Sequence, residues 1–152
     1  MSDWSIKTFQ ELTGSDVYAI LKLRQDIFSL EQKCLYADID DADQVAHHVM
    51  LWHRAELIAY ARCLPPNTSY KHNSSIGRVA VVLRERGKQT GRMLMKQCIG
   101  INLEHYPGKN ICINAQLHLQ SFYSSLGFTT QGKAYAEDGI NHIKMLFRSI
   151  PT

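Results

Sequence analysis

The chain has little of what would assign it quickly to a class. Its four cysteines, Cys34, Cys63, Cys98 and Cys112, form no C-x-x-C pair, which excludes a zinc ribbon and a thioredoxin-like redox motif. Free thiols in a reducing cytosol are the simplest account of them. No apolar run approaches the roughly 18 residues of a membrane span, and the opening MSDWSIKTFQ is too polar for a signal peptide. The expected location is therefore cytoplasmic, with no membrane partner. Charge of one sign is not in excess: 17 Lys and Arg face 14 Asp and Glu, for a net charge of +3. A dedicated nucleic-acid binder clusters more charge than this. The sequence shows no internal repeat, low-complexity tract or linker, so residues 1–152 are expected to form a single domain.

Several motifs are absent as well. G-x-x-x-x-G-K-[ST] does not occur: Gly87 stands four, not five, residues before Gly91, and no Lys-Ser follows. G-x-G-x-x-G is missing too, which disfavours the common triphosphate and dinucleotide sites. The acidic stretch ADIDDAD fails as a calcium loop, because its sixth and twelfth positions are Asp43 and Val49 rather than Gly and Glu. No metal site is expected.

What is present reads as alternating strands and helices. WSIKTF, 4–9, alternates as a strand, and Ser15-Asp16 offers a helix N-cap. Val17, Ile20, Leu21, Leu23, Arg24, Ile27, Phe28 and Leu30 then recur at helical spacing to about Gln32. The acidic segment KCLYADIDDADQVAHH is irregular. HVMLWH and ELIAYARCL form a hairpin about Arg54-Ala55. IGRVAVVL is the most strand-like run, and a helix follows from about Gln89 to His105. KNICINAQ is a buried strand, HLQSFYSSLGF a short helix ending at Gly127, and strands near 129–136 and 142–148 complete the chain. The fold class is α/β, with a mixed central sheet.

Two stretches stand out chemically. RERGKQTGRML crowds cations and glycines between a strand and a helix N-terminus. A helix start offers unpaired N–H groups and the positive end of the dipole, so this is an anion site or a solvated basic turn. AQLHLQSFYSSLGF carries Tyr123, which is either a core residue or a proton donor beside a cofactor.

Together, a strand, R-G-x-x-x-G opening a helix, and a later strand and helix ending F-Y-x-x-x-G-F resemble the GNAT superfamily of acetyl-CoA-dependent N-acetyltransferases. The likeness is closest to its ElaA-type branch, through LRQDIFSLEQKCLYADIDDAD, HVMLW, ELIAYAR, IGRVAVV, AQLHLQSFY and EDGINHIKM. The resemblance implies a twisted mixed sheet splayed between strands 4 and 5, with helices on both faces. It implies acetyl-CoA as co-substrate, a primary amine as acceptor, and a homodimer as one assembly common among relatives. Val79, Ala80 and Val81 would hold the pantetheine arm. Arg86, Gly87, Lys88, Gln89, Thr90, Gly91 and Arg92 would hold the pyrophosphate. Gln116 would contact the cofactor, and Tyr123 would protonate the departing thiolate. Gln89 stands where the family has its middle loop glycine, so the cradle is expected to need a negative φ there.

No carboxylate stands on the fifth strand, NICINAQ, where some relatives have a Glu base. An amine whose pKa is near 10 must lose a proton before it attacks. Candidates for the base are Glu31, His48, His118 and His142. Glu31, Asp38, Asp40, His118 and His142 are the candidate acceptor-binding residues, the acidic ones by attracting a cationic amine. Arg62 and Arg78 are expected to pair with the acidic segment or with Glu137. Two other readings remain: a non-catalytic acyl-CoA-binding module, and a nucleic-acid binder using Arg84, Arg86, Lys88 and Arg92. The second lacks the interleaved aromatics of a single-strand groove.

Overall fold

A computed structural model describes residues 2–149. Strand β1, Ser2–Thr8, leads to helix α1, Gly14–Arg24, whose last turn widens into a π-helical segment, Gln25–Glu31. The α1 cap is Thr13, not Ser15: Thr13 Oγ1 accepts from Asp16 N at 3.0 Å and Asp16 Oδ2 accepts from Thr13 N at 3.0 Å. The reciprocal capping box places Asp16 inside the first turn. Strands β2, His47–His53, and β3, Glu56–Leu64, form the expected hairpin, with Arg54 and Ala55 both at positive φ as a two-residue turn requires. Strand β4 is Ser74–Val81 and helix α2 is Thr90–His105. Strand β5, Ile111–Gln116, then leads to the short helix α3, Gln120–Ser125, and the strands β6, Thr129–Glu137, and β7, Ile140–Phe147.

The seven strands run in the order β1-β2-β3-β4-β5-β7-β6. All neighbours are antiparallel except β4 and β5. Period-two alternation sends one set of side chains to each face. Met50, Leu57, Tyr60 and Ala80 meet Ile20, Leu23, Ile27 and Phe28 from α1 and its π-helical extension. Val49, Ala59, Ala61, Ile111 and Ile113 meet Leu94, Met95 and Cys98 of α2 on the other. Helices therefore cover both faces, as expected.

The parallel pair decides the architecture. β4 and β5 are in register only at Ser74↔Ile111 and Ser75↔Cys112. Beyond those two rungs the strands part, which leaves a V in the middle of the sheet. Asn102, fully buried on α2, braces the point of the V by donating to Ser74 Oγ at 3.1 Å and to Ser75 O at 3.0 Å. At the end of α3, Gly127 sits at φ +105, and a Cβ there would come within 2.9 Å of the Phe147 ring. A side chain is excluded there on both counts.

Candidate active site

The V opens into a cavity of about 420 Å³. Its walls include Gly77, Arg78 and Val79 from β4, Ala115 and Gln116 from β5, and Tyr123 from α3. The main chain of β4 is prepared for an extended ligand. Val82 N donates to Ile58 O of β3 at 3.0 Å. By alternation, the amides of Val81 and Val79 face the open side, towards the V. The carbonyl of Val81 lies on that side too, where it accepts from Arg86 Nε at 2.9 Å.

Just upstream the strand bulges. Tyr60 pairs with Ala80 but Arg62 pairs with Gly77, so Arg78 and Val79 both stand opposite Ala61. Arg78 takes φ +50 there. An extra residue of this kind re-aims the backbone at the edge of a site.

The glycine loop joins β4 to α2. The first bond of α2 runs from Met93 N to Gln89 O at 3.0 Å, and among the described residues no amide from Gly87 to Arg92 has a backbone hydrogen-bond partner. Six N–H groups at the positive end of a four-turn helix make an anion cradle. The negative φ that the cradle was expected to need at Gln89 is not found: Gln89 sits at φ +68, ψ 0. Gln89 adopts the glycine conformation without being glycine, because the turn that presents these amides demands it, and Gly87 at φ +77 does not replace it. The loop is also less cationic than it reads. Arg84 is paired with Glu56 at 2.6 Å and Arg86 with Glu31 at 2.7 Å. Lys88 and Arg92 have no acidic partner among the described residues. Arg92 donates to Ser125 Oγ at 2.6 Å and lies 5.8 Å from the Phe122 ring centre.

The candidate acid and bases fall in different places. Tyr123 is buried against Phe122 and Phe128, and its hydroxyl has no protein partner among the described residues. Burial, with Cys98 nearby, pushes the phenol up to about 12. His142, on β7, lines the cavity directly across from Gln116. Its Nδ1–H donates to Ile140 O at 2.8 Å, which fixes the tautomer and leaves the Nε2 lone pair free to accept a proton. Gln116 Nε2 donates to Gln32 Oε1 at 3.2 Å, tying β5 to the residue that ends the π-helical segment.

Three expected site residues lie elsewhere. His48 is buried away from this cavity. It donates from Nε2 to Asp43 O at 2.8 Å and accepts from the Tyr60 hydroxyl at 2.7 Å. Burial holds it below the usual histidine range. With both nitrogens engaged it has no lone pair for an amine. Glu31 is spent on Arg86 outside the cavity wall, and His118 is exposed on the turn before α3 and does not line the cavity.

Asp38 and Asp40 are not free carboxylates either. Arg24, Asp38, Arg78, Asp40, Arg62 and Asp43 close a ring of alternating charge. Successive distances around it are 2.9, 2.9, 3.4, 2.7, 3.0 and 2.7 Å. Three cations meet three anions, so the ring cannot attract an amine by net charge. Arg62 holds the Asp40 carboxyl down to about 2 by a hydrogen bond, outweighing the opposing effect of burial. Arg62 and Arg78 thus take the acidic segment as partner, while Glu137 accepts from Asn114 Nδ2 at 2.6 Å. Sequence reading missed Arg24, which stands at an apolar position of the helical pattern and is 0 % exposed. It also missed Asn114, which lines the cavity beside Glu137, and Tyr135, which stacks on His142, and it read Glu137 only as a partner for arginine.

Among the described residues, no trio of His, Cys, Asp or Glu is placed to hold a metal, and no helix is long and apolar enough to cross a membrane. A sheet opened between two parallel strands, with free amides along one edge and a helix N-terminus at its mouth, defines an acyl-CoA N-acyltransferase fold. A match to the Acetyltransferase (GNAT) domain covers residues 22–148. The chain is 40 % identical to Protein ElaA of Escherichia coli over 95 % of both chains. Its structure superposes on the crystal structure of E. coli ElaA with a TM-score of 0.90, at 38 % identity over 96 % of this chain and 99 % of that one. An acyl-CoA N-acyltransferase from Pseudomonas aeruginosa matches at a TM-score of 0.91, with 36 % identity over 97 % and 99 %. The chain belongs to the GNAT acetyltransferase family, in its ElaA-type branch.

Proposed function

We propose that the protein is an acetyl-CoA-dependent N-acetyltransferase that acetylates a primary amine by direct attack on the thioester. The observation that carries this reading is the edge of β4: outward amides at Val79 and Val81, running from the bulge to the unbonded amides of Gly87–Arg92. That path suits an extended pantetheine arm with its pyrophosphate at the start of α2. Lys88 and Arg92 supply the charge, and Gln116 lines the inner end.

The acceptor arrives as an ammonium ion. His142 Nε2 takes one proton, directly or through water, and the neutral nitrogen attacks the carbonyl carbon. The C–N bond forms, and an N–H of β4 at the bulge polarises the carbonyl oxygen as charge develops. The C–S bond breaks and the electron pair leaves on sulfur. Tyr123 stays protonated at neutral pH, so its O–H is available to the thiolate. A phenol near 12 is a weaker acid than an ordinary thiol near 8.5. It therefore acts first as a hydrogen-bond donor, and transfer is completed because the thiolate is desolvated in the same site. Of the two protons lost by nitrogen, one ends on the CoA sulfur and one in solvent. Glu137 and Asp138 stand on the cavity wall without a cationic partner among the described residues, a suitable counter-charge for the incoming ammonium. The four cysteines are free thiols, which suits the reducing cytoplasm that we propose as its location.

The test is a calorimetric titration with acetyl-CoA, dephospho-CoA and ATP, followed by thiol release across a panel of amines. Micromolar or tighter binding of acetyl-CoA without comparable ATP binding, and release of CoA on an amine, is the expected result. Binding with no release on any amine makes the protein an acyl-CoA-binding module instead; no binding by folded protein ends the reading.

A further inference from the structure

Arg78 has the wrong residue type for its backbone. A φ of +50 inside a strand is a conformation that side chains with a Cβ seldom adopt. Glycine would take it freely, yet Gly77 next door has no positive φ. The strain is held in place by the side chain. Arg78 Nε donates to Asp38 Oδ1 at 2.9 Å, and Nη2 to Asp38 O at 3.1 Å and to Asp40 Oδ2 at 3.4 Å. The guanidinium lies 5.1 Å from the Tyr36 ring centre. Asp38 is itself fixed from below by Arg24, which is fully buried. These contacts reach from β4 across the cavity to the segment that carries Tyr36, and all of them depend on the bulge lying at residue 78.

The position of that bulge sets everything after it. Were residue 78 to return to an extended conformation, the register from Val79 onward would move by one residue. The amides that face the V would then turn towards β3. We propose that Arg78 is a positioning residue: its hold on Asp38, Asp40 and Tyr36 pins the bulge, and with it the β4 amides that grip and polarise the acyl donor. This deepens the acyltransferase reading and rests on it for its effect on rate. The same contacts make the order of the Tyr36–Asp40 segment a condition for correct thioester geometry, so the acceptor side and the donor side of the cavity are set together.

Three variants separate this from a plain stability role. Arg78→Ala keeps the backbone strain and loses the hold; Arg78→Gly loses both; Arg78→Lys keeps a cation without the fork. Each is assayed for kcat by thiol release, and for cross-strand Tyr60–Ala80 contacts by NMR at a temperature where all are folded. A misplacement of reacting groups by about 1 Å costs on the order of 100-fold, and that loss of kcat is expected for Arg78→Ala, together with a second strand register. Arg78→Gly should recover part of both, because glycine accepts φ +50 unaided, and Arg78→Lys should fall between Arg78→Ala and the wild type. The proposal is overturned if Arg78→Ala keeps the register, or keeps kcat within threefold of the wild type, or if Arg78→Gly is no better than Arg78→Ala. If the wild type itself releases thiol on no amine, the acyltransferase reading fails, and the NMR comparison still decides whether Arg78 holds the bulge.

Discussion

Replacing Tyr123 by Phe removes one oxygen from the cavity, and the consequences divide cleanly. The ring packs edge-on against Phe122 and Phe128 at centroid distances of 5.1 and 6.0 Å, and phenylalanine keeps both contacts. The hydroxyl has no protein partner among the described residues, so no buried group is left unsatisfied and stability should change by less than about 0.5 kcal/mol. Turnover should respond differently. A hydrogen bond to a charged group contributes about 1.5–3 kcal/mol, and at 1.36 kcal/mol per tenfold that is roughly a 10- to 150-fold loss of kcat. The affinity for acetyl-CoA, which contains no thiolate, should stay within about twofold. The pH profile adds a further constraint. A phenol pushed up to about 12 stays protonated throughout the workable range, so wild-type kcat should show no loss on the alkaline side before about pH 10 from this group. The measurements are steady-state thiol release at saturating donor, calorimetric Kd and a melting curve. Unchanged kcat removes Tyr123 from the chemistry. A melting temperature lowered in step with kcat shows that its role is packing.

Gln89→Gly should stabilise the protein. Relief of a left-handed residue is worth about 1–2 kcal/mol, less the roughly 0.5–1 kcal/mol of chain entropy that glycine costs. The net should raise the melting temperature by a few degrees, with acetyl-CoA affinity retained; a lower melting temperature contradicts the strain argument. His142→Gln should lower kcat/KM for the amine about 100-fold at pH 7. The deficit should shrink as the pH approaches the amine's own pKa, since less base is then needed; a deficit constant with pH counts against His142 as the base. Asp40, held at about 2 against an ordinary 3.8, contributes stability that is present above pH 4 and lost as the pH falls from about 4 to about 2. Asp40→Asn should therefore flatten the acid limb of stability measured by denaturant midpoint, and an acid limb of unchanged steepness would locate the acid sensitivity elsewhere.

The order of strands and helices was legible because each element carries its own local signal. Alternation marked β2 and β3, apolar spacing marked α1 and α2, and Gly127 marked the end of α3. The splay was not written in any periodicity. It depends on two rungs at Ser74 and Ser75 and on Asn102 bracing them from a helix 27 and 28 residues along the chain, and it was reached only through the family resemblance. Likewise the sequence suggested an anion loop, but local pattern could not assign φ at Gln89 or Arg78, since neither residue type favours the conformation it adopts.

The ion ring shows most plainly why the acceptor end resists sequence reading. Its acids lie within six residues, and they read as an attractive surface for a cationic substrate. Its bases come from α1, β3 and β4, and one of them, Arg24, occupies a helical position that burial reserves for leucine or isoleucine. Only the tertiary fold reveals that each carboxylate bridges two guanidinium groups. Once the ring is closed, its three carboxylates are matched by three guanidinium groups, and the role of Asp38, Asp40 and Asp43 passes from attraction to placement. Loss of both Asp38 and Asp43 from the ring would leave Arg24 charged and buried without compensation, which costs several kcal/mol. The segment is therefore tied to the buried end of α1 at two points, Asp38 and Asp43. A cavity wall with that property suits chemistry in which an amine must meet a thioester at one fixed distance.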